Sequence, residues 1–129
     1  MKHQLSFGSI NKISDNIAEV IVNENVVMSL EMTEEYHQFL VDNFIGDLGL
    51  LVNKINPYSY TFEAKLNIGS ASNIKAIAVV LYNQAAEKAV DDLFAMRQSD
   101  GWNLKTFSGL DLGWQQGLNW LEKELSEAC

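Results

Sequence analysis

The spacing of apolar residues changes period along the chain, and each change marks an element. Leu5 and Phe7 alternate with Gln4 and Ser6, the two-residue period of a strand with one wet face. Ser14-Asp15-Asn16 is a turn cluster, and Ile17 to Val22 is rich in β-branched residues. Asn23-Glu24-Asn25 then predicts a tight hairpin into Val26 to Leu30, so the opening of the chain reads as an antiparallel meander. The period lengthens next. Tyr36, Phe39, Leu40 and Phe44 form a buried helical stripe, which predicts a helix from about Thr33 to Phe44. Thr33 is placed to cap it, and Glu34 and Glu35 stand where the helix dipole favours negative charge.

Beyond Gly46-Asp47 strands and helices alternate. Leu48 to Ile55 reads as a strand covered on both faces, Pro57 breaks the chain, and a short helix is expected from Thr61 to about Ile68. Ile74 to Tyr82 is the clearest central strand. The following helix sets Ala86, Ala89, Val90, Leu93, Phe94 and Arg97 on one face. Asn103 to Phe107 predicts a short strand, and a last helix from about Asp111 aligns Trp114, Leu118, Leu121 and Leu125. Alternation of this kind favours parallel pairing with right-handed crossovers. The expected fold class is α/β: a mixed β-sheet with an N-terminal antiparallel meander and C-terminal parallel βα units, flanked by helices. No linker or repeat interrupts it, so residues 1–129 are read as a single domain.

Charge narrows the partners. Nine Lys and Arg against seventeen Asp and Glu leave a net charge of −8, which disfavours nucleic acid and anionic membrane surfaces. Arg97 is the one arginine, and Lys54, Lys65 and Lys75 are isolated charges, so no cluster forms to clamp phosphates. The lone cysteine, Cys129, allows no internal disulfide and suits a cytoplasmic setting. Met1 to Phe7 lacks the apolar core of a signal peptide, and the apolar run Ile74 to Tyr82 falls far short of the roughly 20 residues a membrane helix needs, so no membrane insertion is expected.

Catalytic signatures are sparse. Glu34-x-x-His37 has the spacing of a di-iron ligand pair, but such sites need a second copy, and the other histidine, His3, lies in a predicted strand. Gly-x-Ser-x-Gly is absent, and Gly109-Leu110-Asp111-Leu112-Gly113 lacks the Lys-Ser/Thr ending of a P-loop. No enzyme activity, metal or cofactor is expected. The most unusual stretch is Asn53 to Phe62, which leaves the carboxyl end of a predicted central strand and enters a helix. Open α/β sheets bind ligands at that edge, particularly where strand order reverses. Ser59 or Thr61 is placed to cap the helix, whose free N–H groups suit an anion; the plainer alternative is a capped turn with its tyrosines packed on the core.

The order of these segments resembles the STAS superfamily in its SpoIIAA-like branch. The cues are Ile17 to Val22 followed by the predicted hairpin, the Thr33-Glu34-Glu35-Tyr36 helix start, and Leu50-Leu51-Val52-Asn53 before the short helix. Ala76-Ile77-Ala78-Val79-Val80 is similar to the family's central strand, and Thr106-Phe107 with Gln115 to Leu121 is similar to its closing strand and helix. The resemblance covers about residues 15 to 123. It implies the STAS (SpoIIAA-like) fold, no catalytic residues, and a switch by phosphorylation at a Ser or Thr opening the helix after a central strand. The matching place is Ser59 to Thr61, where Tyr58-Ser59-Tyr60-Thr61 stands instead of the family's Asp-Ser-x-Gly.

The function expected is that of a non-enzymatic bacterial regulatory, protein-binding domain, with a homodimer as a further possibility. The alternative is a carrier or sensor of a small amphipathic, lipid-like ligand of the CRAL-TRIO kind, with Tyr58, Tyr60, Tyr82, Phe94 and Trp102 as candidate pocket residues. Either way the expected site is the carboxyl ends of the two central strands: Asn56, Tyr58, Ser59, Tyr60 and Thr61, together with Tyr82 and Asn83.

Overall fold

A computed structural model describes residues 2–68, 73–97, 103–110 and 112–127. Among these residues eight strands and four helices follow in the order β1 (Lys2–Gln4), β2 (Gly8–Ser14), β3 (Ile17–Val22), β4 (Val27–Met28), α1 (Leu30–Asn43), β5 (Leu48–Asn53), β6 (Ser59–Tyr60), α2 (Phe62–Asn67), β7 (Ile74–Leu81), α3 (Gln84–Met96), β8 (Leu104–Ser108) and α4 (Gly113–Glu127). Six strands form one mixed sheet in the order β1-β2-β3-β5-β7-β8. Its first three strands pair antiparallel, and β3, β5, β7 and β8 run parallel.

From β3 onward the strand order advances in one direction and never reverses. Crossovers of one hand that all advance the same way must put their helices on one face. Accordingly α1, α2 and α3 share a face, where Tyr36, Leu40, Ala64 and Val90 pack with Val20, Leu50 and Val79. The chain returns after β8, and among the described residues α4 is the helix that covers the other face, through Leu121 and Leu125 against Leu51, Ala78 and Val80. It lies close because Gly117 sits over the sheet; a Cβ there would stand 3.0 Å from Leu51 Cδ1. Both faces therefore carry helices, and the sheet is open at its edges, β1 and β8. The reversal of strand order that marks ligand crevices in doubly wound sheets is not present.

Several sequence expectations change. Leu5 and Phe7 do not lie in a strand but in the turn joining β1 to β2, closed by Leu5 N–H donating to the Gly8 carbonyl at 2.8 Å. The turn at Asn23–Asn25 exists, with Asn25 at φ +64°, yet no hairpin follows. Both edges of β3 are taken by β2 and β5, so β4 swings away and pairs in parallel with β6 as a separate two-stranded sheet. Helix α1 starts earlier than expected. Ser29, not Thr33, is the cap and accepts from Met32 N–H, while Thr33 is buried in the first turn with its hydroxyl donating to the Ser29 carbonyl. Strand β5 stops at Asn53 rather than Ile55, and Ala89 on α3 is exposed.

Candidate functional site

Alternation along β5 decides what reaches each face at its carboxyl end. Leu50 and Val52 point to the α1–α3 side, and the next residue in that series is Lys54; Leu51 points to α4, and the next in that series is Asn53. On the α4 side the polar groups are matched. Tyr82 donates its hydroxyl to Asn53 Oδ1 at 2.7 Å, and Asn53 Nδ2 donates to Glu19 Oε2 at 3.1 Å. The same carboxylate oxygen accepts from Trp114 Nε1 at 2.7 Å. This network ties β3, β5 and the end of β7 to α4.

Lys54 has a different environment. Its backbone N–H continues the ladder to the Val80 carbonyl, so the residue is held at the strand end. The residue is only 9% exposed. Its Nζ lies 3.9 Å from the centre of the Tyr58 ring and 5.7 Å from that of Tyr60. Among the described residues no hydrogen bond or ion pair reaches Nζ; ring faces are its partners. Burial pulls its pKa down to about 8.

The tyrosines are set there by the small sheet. Ser59 N–H donates to the Val26 carbonyl and Thr61 N–H to the Met28 carbonyl, which fixes 58–61 as an extended segment beside β4. Tyr58 and Tyr60 then face the same way and Ser59 faces out, exposed. The two rings meet edge to face at 5.5 Å with their hydroxyls 3.3 Å apart. Burial raises the pKa of Tyr58, Tyr60 and Tyr36, so all three stay protonated well above neutrality.

Behind Lys54, between the sheet and α1–α3, lies an apolar cavity of about 60 Å³. Val52, Val79, Val90 and Leu93 line it, with Tyr36, Tyr58, Tyr60 and Lys54 as its polar residues. A depression of about 120 Å³ lies alongside, bordered by Asn56, Pro57, Asn83 and Ala86. Lys54 and Tyr58 line both spaces and stand between them. A third, more polar cleft of about 360 Å³ runs past Tyr82, Asn83, Glu87 and Ser108.

The expected site residues thus part company. Tyr58 and Tyr60 line the cavity, and Asn56 and Asn83 border its outer depression. Asn56 also donates to the Val22 carbonyl at 3.0 Å, and Asn83 caps α3 by accepting from Ala86 N–H at 2.8 Å. Thr61 caps α2 by accepting from Ala64 N–H at 3.2 Å, so the helix start is occupied by its own side chain. Tyr82 turns to the α4 face and the polar cleft. Phe94 does not line the apolar cavity, and Trp102, Asp111 and Cys129 lie outside the described residues. Sequence reasoning passed over Lys54 as a single charge. Its signal was the two-residue stride Leu50, Val52, Lys54, which puts a cation where a core residue belongs.

Arg97 is the other buried cation of this layer, and it is satisfied. It ends α3 and donates from Nη1 to the Lys65 and Ile68 carbonyls at 2.9 and 2.7 Å, closing the end of α2. His37 nearby is half-buried, and burial, with a contribution from Arg97, lowers its pKa. Among the described residues no helix is long and apolar enough to cross a membrane. Comparison with protein-family models, with curated proteins and with solved structures finds no match to this chain.

Proposed function

We propose that this chain is a non-enzymatic binding domain, a carrier or sensor, for a small amphipathic ligand held between the sheet and α1–α3. One observation carries the reading: an apolar cavity whose rim is formed by two tyrosines and a buried lysine with no carboxylate partner among the described residues. Ligand sites have that make-up, mostly apolar lining with a few polar groups that fix orientation. The STAS (SpoIIAA-like) fold belongs to this proposal as well; the antiparallel start, the parallel continuation and the element order support it. Native mass spectrometry of freshly purified protein tests the function. A retained small molecule that is released on denaturation is the expected result. Bare chain alone, with no thermal shift from a panel of small amphiphiles, refutes it.

A second reading, a regulatory domain that docks on a protein partner, is supported by α2. Phe62 and Leu66 are 67% and 48% exposed and lie four residues apart on the helix that follows the Ser59–Thr61 segment. Under that reading Phe62→Glu abolishes capture of the partner in a pull-down without lowering stability. Equal capture by both proteins removes it.

A further inference from the structure

A buried ammonium normally finds a carboxylate, because a charge taken out of water is costly unless it is paired and hydrogen-bonded. This chain carries seventeen acidic residues. Among the described residues, none of them lies within ion-pair range of Lys54, and the salt bridge present is the exposed Lys88–Asp92 pair. The other buried cation, Arg97, has backbone carbonyls for partners. Lys54 is therefore a largely buried cation to which the described residues of the chain offer ring faces and no carboxylate. We propose, building on the ligand-binding reading above, that Lys54 is the headgroup site of the cavity and that its ligand is a short-chain monocarboxylic acid.

The site's geometry sets the class. The carboxylate meets Nζ at the boundary between outer depression and cavity, and the aliphatic body extends inward against Val52, Val79 and Leu93. The tyrosine pair supplies a second donor. Only one hydroxyl proton is used between Tyr58 and Tyr60, which leaves the other free for a carboxylate oxygen. With its pKa near 8 the amine is mostly protonated at pH 7, so the attraction operates at neutrality. One cation does not balance a phosphate dianion or a dicarboxylate, and an amine is repelled. A neutral alcohol leaves the ammonium without its counter-charge. The cavity of about 60 Å³ sets the short chain length.

Titration of the full-length protein with pentanoate and with pentan-1-ol, followed by NMR shifts of the valine and leucine methyls, tests this at pH 7. Pentanoate is expected to bind at least tenfold tighter than the alcohol. In Lys54→Met, and independently in Lys54→Gln, the ratio of pentanoate to alcohol affinity is expected to fall below threefold. If wild type binds both molecules equally, or if the variants keep the preference, the carboxylate assignment is overturned and the ligand-binding reading stands. If neither molecule shifts the cavity methyls of wild type, the ligand-binding reading falls and takes the assignment with it. The wild-type comparison decides the question even where a variant fails to fold.

Discussion

Replacing Lys54 by methionine should make the protein more stable at neutral pH. Methionine keeps the length and apolar stem of lysine and removes the charge. Lowering the amine pKa from 10.5 to about 8 corresponds to about 3 kcal/mol of destabilisation whenever the group is protonated in both folded and unfolded states. Loss of the contacts to the Tyr58 and Tyr60 rings offsets roughly 1 kcal/mol of that. The net gain expected for Lys54→Met at pH 7 is therefore about 2 kcal/mol.

The sign of the pH dependence follows from proton binding. Below about pH 8 both states of wild type are protonated and the full cost of burial is present. Between about 8 and 10.5 the unfolded chain holds the proton and the folded chain does not, so wild-type stability rises with pH across that window. The advantage of Lys54→Met should shrink accordingly and be nearly gone at pH 10. The tyrosines facing Lys54, Tyr36 from α1 and Tyr58 and Tyr60 beside β4, have raised folded pKa values. Their contribution is present below pH 10 and is lost above it, equally in both proteins; α3 brings Ala85, Ala86 and Ala89, none of them titratable, to this side of the rim. Urea unfolding of both proteins at pH 7, 8, 9 and 10 measures the difference. A variant less stable than wild type at pH 7, or a difference that does not change with pH, would refute a charged and unpaired Lys54.

Two further outcomes follow from the hydrogen bonds. Thr61→Ala should cost about 1 kcal/mol because it removes the cap of α2, whereas Ser59→Asp, on the exposed side of β6, should change stability by less than about 0.5 kcal/mol; thermal melts in which the Ser59 variant loses more reverse the assignment. Trp114→Phe should cost roughly 1–3 kcal/mol, since the Glu19 carboxylate loses its indole donor, and unfolding free energies equal to wild type would remove that bond from the account.

The sequence made the central strands readable because they are short apolar runs, rich in β-branched residues in β3 and β7, with helices over both faces. Ile17–Val22 was located to the residue and Ile74–Leu81 to within one, and the short helix after Pro57 appears with Thr61 as its cap. What stayed hidden depended on partners distant in sequence. Asn23–Asn25 has the composition of a hairpin turn, and nothing local reveals that both edges of β3 are already occupied. Val27–Met28 and Ser59–Tyr60 are too short to announce strands, and their pairing spans thirty-two positions, from Val27 to Ser59. Ser29 and Thr33 are equivalent caps by type; burial of Thr33 under the first turn separates them. In the candidate site, Tyr58 and Tyr60 were read from the unusual Asn53–Phe62 stretch. Tyr82 was grouped with them although strand alternation sends it to the opposite face.

That alternation also separates Asn53 from Lys54, and the contrast between these neighbours bears on what the site is for. Both polar atoms of the Asn53 amide have partners, assembled from β3 and the end of β7, and the Glu19 carboxylate that holds one of them is held in turn by α4. One residue further, the fold puts a charge at the equivalent depth on the other face and gives it aromatic rings but no anion among the described residues. A fold that satisfies the first polar group so fully has the means to satisfy the second, or to replace it with an apolar residue of the same length. Positions that break the local rules of core packing without visible compensation concentrate at functional sites. Here the compensation has a natural source. The desolvation that lowers the Lys54 pKa also strengthens its attraction to a carboxylate entering the same low-dielectric space. A carboxylate bound there offsets the cost of burying the Lys54 charge, and the protein is stabilised by an amount that grows with the logarithm of ligand concentration over Kd.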